Sequence, residues 1–560
     1  MEADEKTPSI VYDDTGVRRL WDKDATLWSD HHQKIHSIKR RLCWVDSPRW
    51  LRSQLYDLKK RISAIQDYKW KGIVLIGMGG SSLAATVLYR MASIEKGRPV
   101  DPYFEVLDTI HPNGIRNISA RENLSETLFI ISSKSGSTIE VNALWLYIDE
   151  LLRCRGSNHG ERGKNFVAIT DPGSPLEALA DDNGFLDCFL NPSDIGGRFS
   201  ALTYYGMVPA ALLGFDVQGL LESAEHQVSI SKMTMVEKNS PFKLGWEIGS
   251  QALNGKNKLT LIFSKEHEPL GVWIEQLLAE STGKDGRGVV PIINEPVLNS
   301  VEYGSDRFFV TVGAINSHHV MNIQHELISA GFSVFQLEMV GLNDIGAAFF
   351  RWQFATAVAG SVLGINPFDE PQVQRAKDAT ISFLDGKSHL KTQTMERCIR
   401  KNSMILIGND FDYGKFLNAS EEINRLFKHV NLGNYVAILS WLEETDEIYE
   451  KLVAISNRVR ESLGVPVTLG FGPRYLHSTG QLHKGDSNTG IFLQIYSEPE
   501  NNQTIPTWKH GFSDLHKAQA DADLVVLSDL GRRLLRIDVQ TSVISGLTKL
   551  DEVINYALSH

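Results

Sequence analysis

Two short segments carry the residue types that hold an anion. Gly77-Met78-Gly79-Gly80-Ser81-Ser82 follows an apolar β-type run and leads straight into a helical pattern. Its glycines allow a sharp backbone turn and close approach of a ligand to N–H groups. The helix start adds partial positive charge, so an anion beside Ser81 or Ser82 is favoured. The second segment, Ser133-Lys134-Ser135-Gly136-Ser137-Thr138, repeats the arrangement with four hydroxyls and a lysine at a helix start. Neither is a nucleotide signature. A dinucleotide turn needs glycine where Ser82 stands, and the second segment lacks the Gly-to-Lys-Ser/Thr spacing of a P-loop. Each segment alone could be a turn capped by serine. Two of them on neighbouring strands read as a phosphate cradle.

Two further segments could act on a bound ligand. In Gly196-Gly197-Arg198-Phe199-Ser200 an arginine sits behind two glycines at a helix start, where a guanidinium can meet an oxyanion. The plain alternative is a surface salt bridge. Glu280-Ser281-Thr282-Gly283-Lys284 puts a carboxylate at the end of an amphipathic helix, where the helix dipole disfavours it. Such a placement suits a general base. Metal sites are not apparent: His477 and His483 lie six apart without a Cys or carboxylate at ligand spacing, and Asp285-Gly286-Arg287-Gly288 lacks the alternating carboxylates of a calcium loop. Lys484, Gly485 and Asp486 read as turn residues, and Trp21, Trp28 and Trp44 as helix core.

These segments must be held at strand ends. β-type runs at 72–78, 103–107, 127–132 and 165–170 alternate with helical patterns such as 82–93 and 138–153. A second set has strands at 258–264, 289–294, 307–313 and 332–338, with helices at 271–280, 317–331 and 345–363. A third has strands at 404–408, 435–439, 465–470, 490–495 and 534–538, with helices at 446–463 and 514–527. Such alternation implies parallel strands and doubly wound α/β layers. The domain reading is a helical segment over 1–65, α/β domains over 66–236 and 237–390, and a C-terminal α/β unit over 391–560.

Composition narrows the function. The 560 residues are 42% apolar and 22% charged, ordinary globular usage, with 57 basic against 68 acidic residues for a net charge of −11. A long anionic polymer gains little from that surface, so nucleic-acid binding is not expected, whereas a local phosphate site is allowed. Cys43, Cys154, Cys188 and Cys398 form no C-x-x-C pair and suit a reducing compartment. The opening MEADEKTPS is acidic rather than signal-like, and the most apolar stretches, 204–215 and 349–365, are interrupted by Pro209, Arg351 and Gln353. The expectation is a cytoplasmic protein with no membrane span.

Taken together and in order, the four segments resemble the sugar-isomerase domains of the glucose-6-phosphate isomerase family. Asn366-Pro367-Phe368-Asp369-Glu370-Pro371 followed by Lys377 resembles the family block that ends in an active-site lysine, and Leu476-His477-Ser478-Thr479-Gly480-Gln481 resembles its active-site histidine block. The chain resembles in particular the isomerase half of bifunctional transaldolase/glucose-6-phosphate isomerase fusions, and a transaldolase half is not expected here. The resemblance implies two sugar-isomerase domains plus the C-terminal unit, and reversible conversion of glucose 6-phosphate to fructose 6-phosphate through a cis-enediol. It implies Glu280, His477, Lys377 and Arg198 as catalytic residues. Gly79, Gly80, Ser81, Ser133, Ser135, Thr138, Gly197 and Glu370 would bind substrate, with no cofactor or metal. Two departures stand out. Glu370 replaces the family's usual Gln, and the order here is Glu280, Lys377, His477, whereas most members run Glu, His, Lys. Ordinary members take the histidine from a neighbouring subunit; the relocation would let this chain supply its own, as a monomer or a homodimer. A dual glucose/mannose 6-phosphate isomerase and a non-catalytic sugar-phosphate sensor are the alternatives.

Overall fold

The runs at 72–77 and 127–132 carry no polar alternation because both faces of these strands are covered; every residue in them is buried. The computed structural model describes residues 10–99, 102–156, 159–314, 317–388, 399–401, 404–408, 419–540 and 542–559. The opening nine residues and Cys398 lie outside them. The chain separates into two compact units: residues 1–108, 121–294 and 308–369 form the first, and residues 109–120, 295–307 and 370–560 the second.

The first unit holds two sheets over one continuous apolar core. β1 (Gly72–Gly77), β2 (Tyr103–Leu107), β3 (Thr127–Ser132), β4 (Phe166–Thr170) and β5 (Asp187–Leu190) are ordered β2-β1-β3-β4-β5, all parallel. The chain runs from β1 outward to β2 and returns to β3 on the other side, so the sheet reverses its winding between β1 and β3. The crevice beyond the carboxyl ends of strands at such a reversal is where open α/β sheets take ligands. β6 (Lys258–Phe263), β7 (Val290–Ile292), β8 (Arg307–Gly313) and β9 (Val334–Glu338) form the second sheet, ordered β7-β6-β8-β9. The almost wholly buried helix Asp344–Val362 passes through the core.

The second unit carries the third sheet. β10 (Ile399–Lys401), β11 (Met404–Gly408), β12 (Tyr435–Trp441), β13 (Val467–Phe471), β14 (Gly490–Tyr496) and β15 (Arg533–Val539) are ordered β10-β11-β15-β14-β12-β13. β13, β12, β14 and β15 run parallel, and β11 pairs antiparallel with both β15 and β10. One face packs on an apolar core that includes Ile438, Leu493 and Ile537.

All three sets of alternating elements form, with differences at their edges. The strand expected at 289–294 shortens to Val290–Ile292, and Asn294 takes a positive φ of 57°. The short strands β5 and β10, and the helices Val217–Ser231, Ser240–Leu253, Pro371–Leu384 and Val543–Ser559, were not among the expected elements. Trp28 and Trp44 are core as expected, with Trp21 half-buried against Phe350. Among the described residues no helix is long and apolar enough to cross a membrane, and no cluster of three or more His, Cys, Asp or Glu is placed to hold a metal.

Candidate active site

In the first unit the two glycine-rich turns meet backbone to backbone. Gly79 adopts φ 54°, and a Cβ added to Gly80 would lie 2.3 Å from the carbonyl of Gly197, so glycine is required by contact as well as by conformation. The serine turn is tied to the same place: Ser132 donates its hydroxyl to the Ser81 carbonyl at 2.8 Å. Ser133 and Thr138 share a hydroxyl hydrogen bond of 2.9 Å, so Thr138 does not cap its helix Ile139–Cys154. Ser135 is exposed and accepts from both the backbone N–H and the hydroxyl of Ser137. The result is a hydroxyl-lined turn over an uncapped helix start, suited to an anion. Lys134 points elsewhere, bound to Asp171 and to the Ser193 carbonyl.

Helix Leu270–Thr282 packs against both the 79–81 and the 197–199 turns and brings Glu280 to them. Glu280 is 8% exposed and both its oxygens are engaged. Oε1 lies 3.2 Å from Arg198 Nη1, and Oε2 accepts from Gln276 Nε2 at 3.2 Å. Arg198 is 3% exposed and is fixed by its other donors: Nε to the Ser281 hydroxyl at 2.8 Å, and Nη2 to the carbonyls of Pro367 at 2.7 Å and Asp369 at 2.9 Å.

The 366–369 turn is thus held by cations at every carbonyl. Lys284 donates to Asn366 O at 2.8 Å and to Asp369 O, with the Asp369 carboxylate 3.0 Å away. Arg41 donates to Phe368 O at 2.9 Å. Inside the turn Asn366 donates to Asp369 Oδ2 at 2.7 Å and accepts from Phe368 N.

The second unit carries the remaining expected site residues. His477 is the last residue of the 3-10 turn Arg474–His477 and is half-buried. Lys377 is half-buried on helix Pro371–Leu384, for which Glu370 is the N-cap position. The first turn of that helix is tied to the histidine block, because Gln372 N donates to Gln481 Oε1 at 3.0 Å. Lys484 and Gly485 are not turn residues but the end of helix Gly480–Gly485, with Lys484 buried beside Asp523; Asp486 does lie in the bend that follows, where it accepts from Asn488 N and is buried against Arg532.

Of the expected residues, Gly79, Gly80, Ser81, Gly197, Arg198 and Glu280 belong to one connected cluster, to which the Ser133–Thr138 turn is joined through Ser132. Gln276, Ser281, Lys284 and Arg41 were not expected. Gln276 was legible in principle, one helical turn before Glu280 on the same face. The carbonyls of 366–369 carry no side-chain signal at all.

The sequence pattern of the phosphoglucose isomerase family matches residues 55–325. Among curated relatives, the glucose-6-phosphate isomerase of Campylobacter jejuni is 27% identical over 57% of this chain and 87% of its own length. Those of Mycoplasmopsis pulmonis and Rubrobacter xylanophilus are 27% and 28% identical, over 62% and 55% of this chain and 90% and 81% of theirs. In fold, the chain is similar to a hypothetical protein of Thermus thermophilus, with a TM-score of 0.56 and 24% identity over 66% of this chain and 93% of that one. It is also similar to a glucose-6-phosphate isomerase of Chlamydia trachomatis, with a TM-score of 0.51 and 20% identity over 68% and 80%. In sequence, the chain is thus similar to the phosphoglucose isomerase family over residues 55–325, the stretch that holds the 77–82, 133–138, 196–200 and 280–284 segments.

Proposed function

We propose that this chain is an aldose–ketose isomerase that interconverts glucose 6-phosphate and fructose 6-phosphate. The observation that carries the reading is the buried Glu280 carboxylate, oriented through both oxygens and packed against the glycine turns at the phosphate-binding end of the sheet. Ser81, Ser133, Ser135 and Thr138 hold the phosphate and take no part at phosphorus. His477, with Lys377, moves a proton at the ring oxygen to open the sugar. Glu280 then removes the proton from C2, the electron pair forming the C1–C2 double bond of the cis-enediol. Return of the proton to C1, with the hydroxyl proton passing from O2 to O1, leaves the ketone at C2. Negative charge on the enediol oxygens is stabilised by the Arg198 guanidinium, whose position is already fixed before substrate arrives. The electrons stay within the substrate, so the chemistry calls for neither a nicotinamide nor a metal.

A coupled assay tests this. With fructose 6-phosphate supplied and EDTA present, glucose 6-phosphate should form and be read by a dehydrogenase with NADP. Folded protein that binds sugar phosphate without turnover would make the chain a sensor instead.

A further inference from the structure

The segment that carries His477 is anchored on both sides to one buried carboxylate, Asp523, on helix Phe512–Asp529. Two residues before His477, Tyr475 donates its hydroxyl to Asp523 Oδ2 at 2.7 Å and accepts from Trp441 Nε1 at 2.9 Å. Seven residues after it, Lys484 Nζ lies 2.5 Å from Asp523 Oδ1. Tyr475, Lys484 and Asp523 are 2%, 3% and 1% exposed. The pair on either side of His477 therefore converges on a carboxylate that solvent does not reach.

The surroundings make this arrangement notable. The sheet face towards Ile438, Leu493 and Ile537 is apolar, whereas the face bearing Trp441, Gln494, Tyr496 and Arg536 meets helix Phe512–Asp529 through polar contacts. Gln494 donates to the Ala520 carbonyl at 3.2 Å, and Arg536 Nη1 lies 2.5 Å from Asp521 Oδ1. Burying a lysine and an aspartate together rarely stabilises a fold more than apolar residues of equal volume would. What such a pair supplies is fixed geometry, since breaking either side leaves an unpaired charge. Here the geometry fixed is that of the 475–484 segment.

We infer that Asp523 is a positioning residue for His477, fixing the imidazole's segment through Tyr475 on one side and Lys484 on the other for proton transfer at the ring oxygen. This rests on the isomerase reading, with His477 in ring opening and Glu280 in the proton transfer between carbons. The two steps can be separated with 5-deoxyfructose 6-phosphate, which lacks O5 and has O6 phosphorylated, and so stays open-chain.

The experiment compares wild type, Asp523→Asn and Tyr475→Phe on fructose 6-phosphate and on 5-deoxyfructose 6-phosphate, with aldose formation followed by NMR. For both variants kcat on fructose 6-phosphate should fall about 10–100-fold with KM within threefold. The rate on the open-chain analogue should stay within twofold of wild type. Equal losses on both substrates would show a merely structural role and overturn the inference, as would no loss on fructose 6-phosphate. Should Asp523→Asn not fold, Tyr475→Phe decides alone, because it keeps the ring and removes only the hydroxyl, with its bonds to Asp523 and Trp441. A wild type inactive on both substrates would remove the isomerase reading and the inference with it, an outcome that the wild-type control sets apart.

Discussion

Neither oxygen of Glu280 waits for substrate without a partner; Arg198 and Gln276 hold one each, and Ser281 holds Arg198 in turn. The carboxylate is therefore aimed before substrate binds, and its loss should affect the chemical step rather than affinity. For Glu280→Gln, kcat should fall about 10²–10⁴-fold. The Kd of a competitive sugar-phosphate inhibitor, measured by calorimetry, should stay within threefold; an unchanged kcat would remove Glu280 as the base. Lys284 acts one step further back. Lys284→Met leaves the carbonyls of Asn366 and Asp369 and the Asp369 carboxylate short of a buried cation. The expected stability loss is about 1–3 kcal/mol by urea unfolding. Because Arg198 leans on the same turn, kcat should also fall about tenfold with KM little changed. Full kcat with lowered stability would make Lys284 purely structural. At this scale the sequence was informative where side chains carry the chemistry. Arg198 and Glu280 announce themselves by type and context, whereas the turn that orients Arg198 does so through carbonyls that any sequence possesses.

Between residues and units lie the turns, where legibility follows from glycine. The segments 77–82 and 196–200 could be read as close-approach turns, but which other backbone they approach could not. The structure answers with each other: Gly80 faces the Gly197 carbonyl. Gly80→Ala would push a methyl to 2.3 Å from that carbonyl, and backbone on both sides has little freedom to yield. The cost should be about 1–3 kcal/mol, read as a lowered urea midpoint with an unchanged m-value. Activity should fall further than stability, since both turns carry the helix of Glu280. Gly97→Ala is the control: its added Cβ meets nothing within 4 Å, so any penalty there comes from φ 62° alone. Elements without such punctuation were harder to read. β5, Asp187–Leu190, is four residues long with Asp187 paired to Arg61, so it offers neither an apolar run nor alternation. β10 and β11 turn antiparallel at the edge of an otherwise parallel sheet, which the alternation of strands with helices does not announce.

At the scale of the molecule the two units differ in how they meet acid. Among the described residues, the buried histidines are His267 in the first unit and His111, His483 and His516 in the second. Burial holds the His111 imidazole down to about 4 and pushes those of His483 and His516 well below the usual histidine range, with the charges of Lys484 and Arg532 adding to the effect on His483. Burial also lowers His267, but Glu266 and Asp344 oppose it. A histidine whose pKa is lower folded than unfolded binds its proton first in the unfolded chain. Stability therefore falls as pH drops through the unfolded value of 6.5 and goes on falling to the folded one. For His111 that window runs from 6.5 to about 4 and amounts to about 3 kcal/mol at its acid end. His111 accepts the N-cap hydrogen bond of helix Pro112–Ser119, and its ring meets that of His516 edge-on at 5.1 Å, so its protonation loosens a helix end and a ring cluster together. Hydrogen exchange at pH 7 and pH 5, corrected for intrinsic rates, should show amides of helices Pro112–Ser119 and Phe512–Asp529 losing protection. Those of β1, β3 and β4 should keep theirs. An equal loss in both units would mean that acid acts through net charge on the whole chain rather than through the histidines that the second unit buries beneath its polar sheet face.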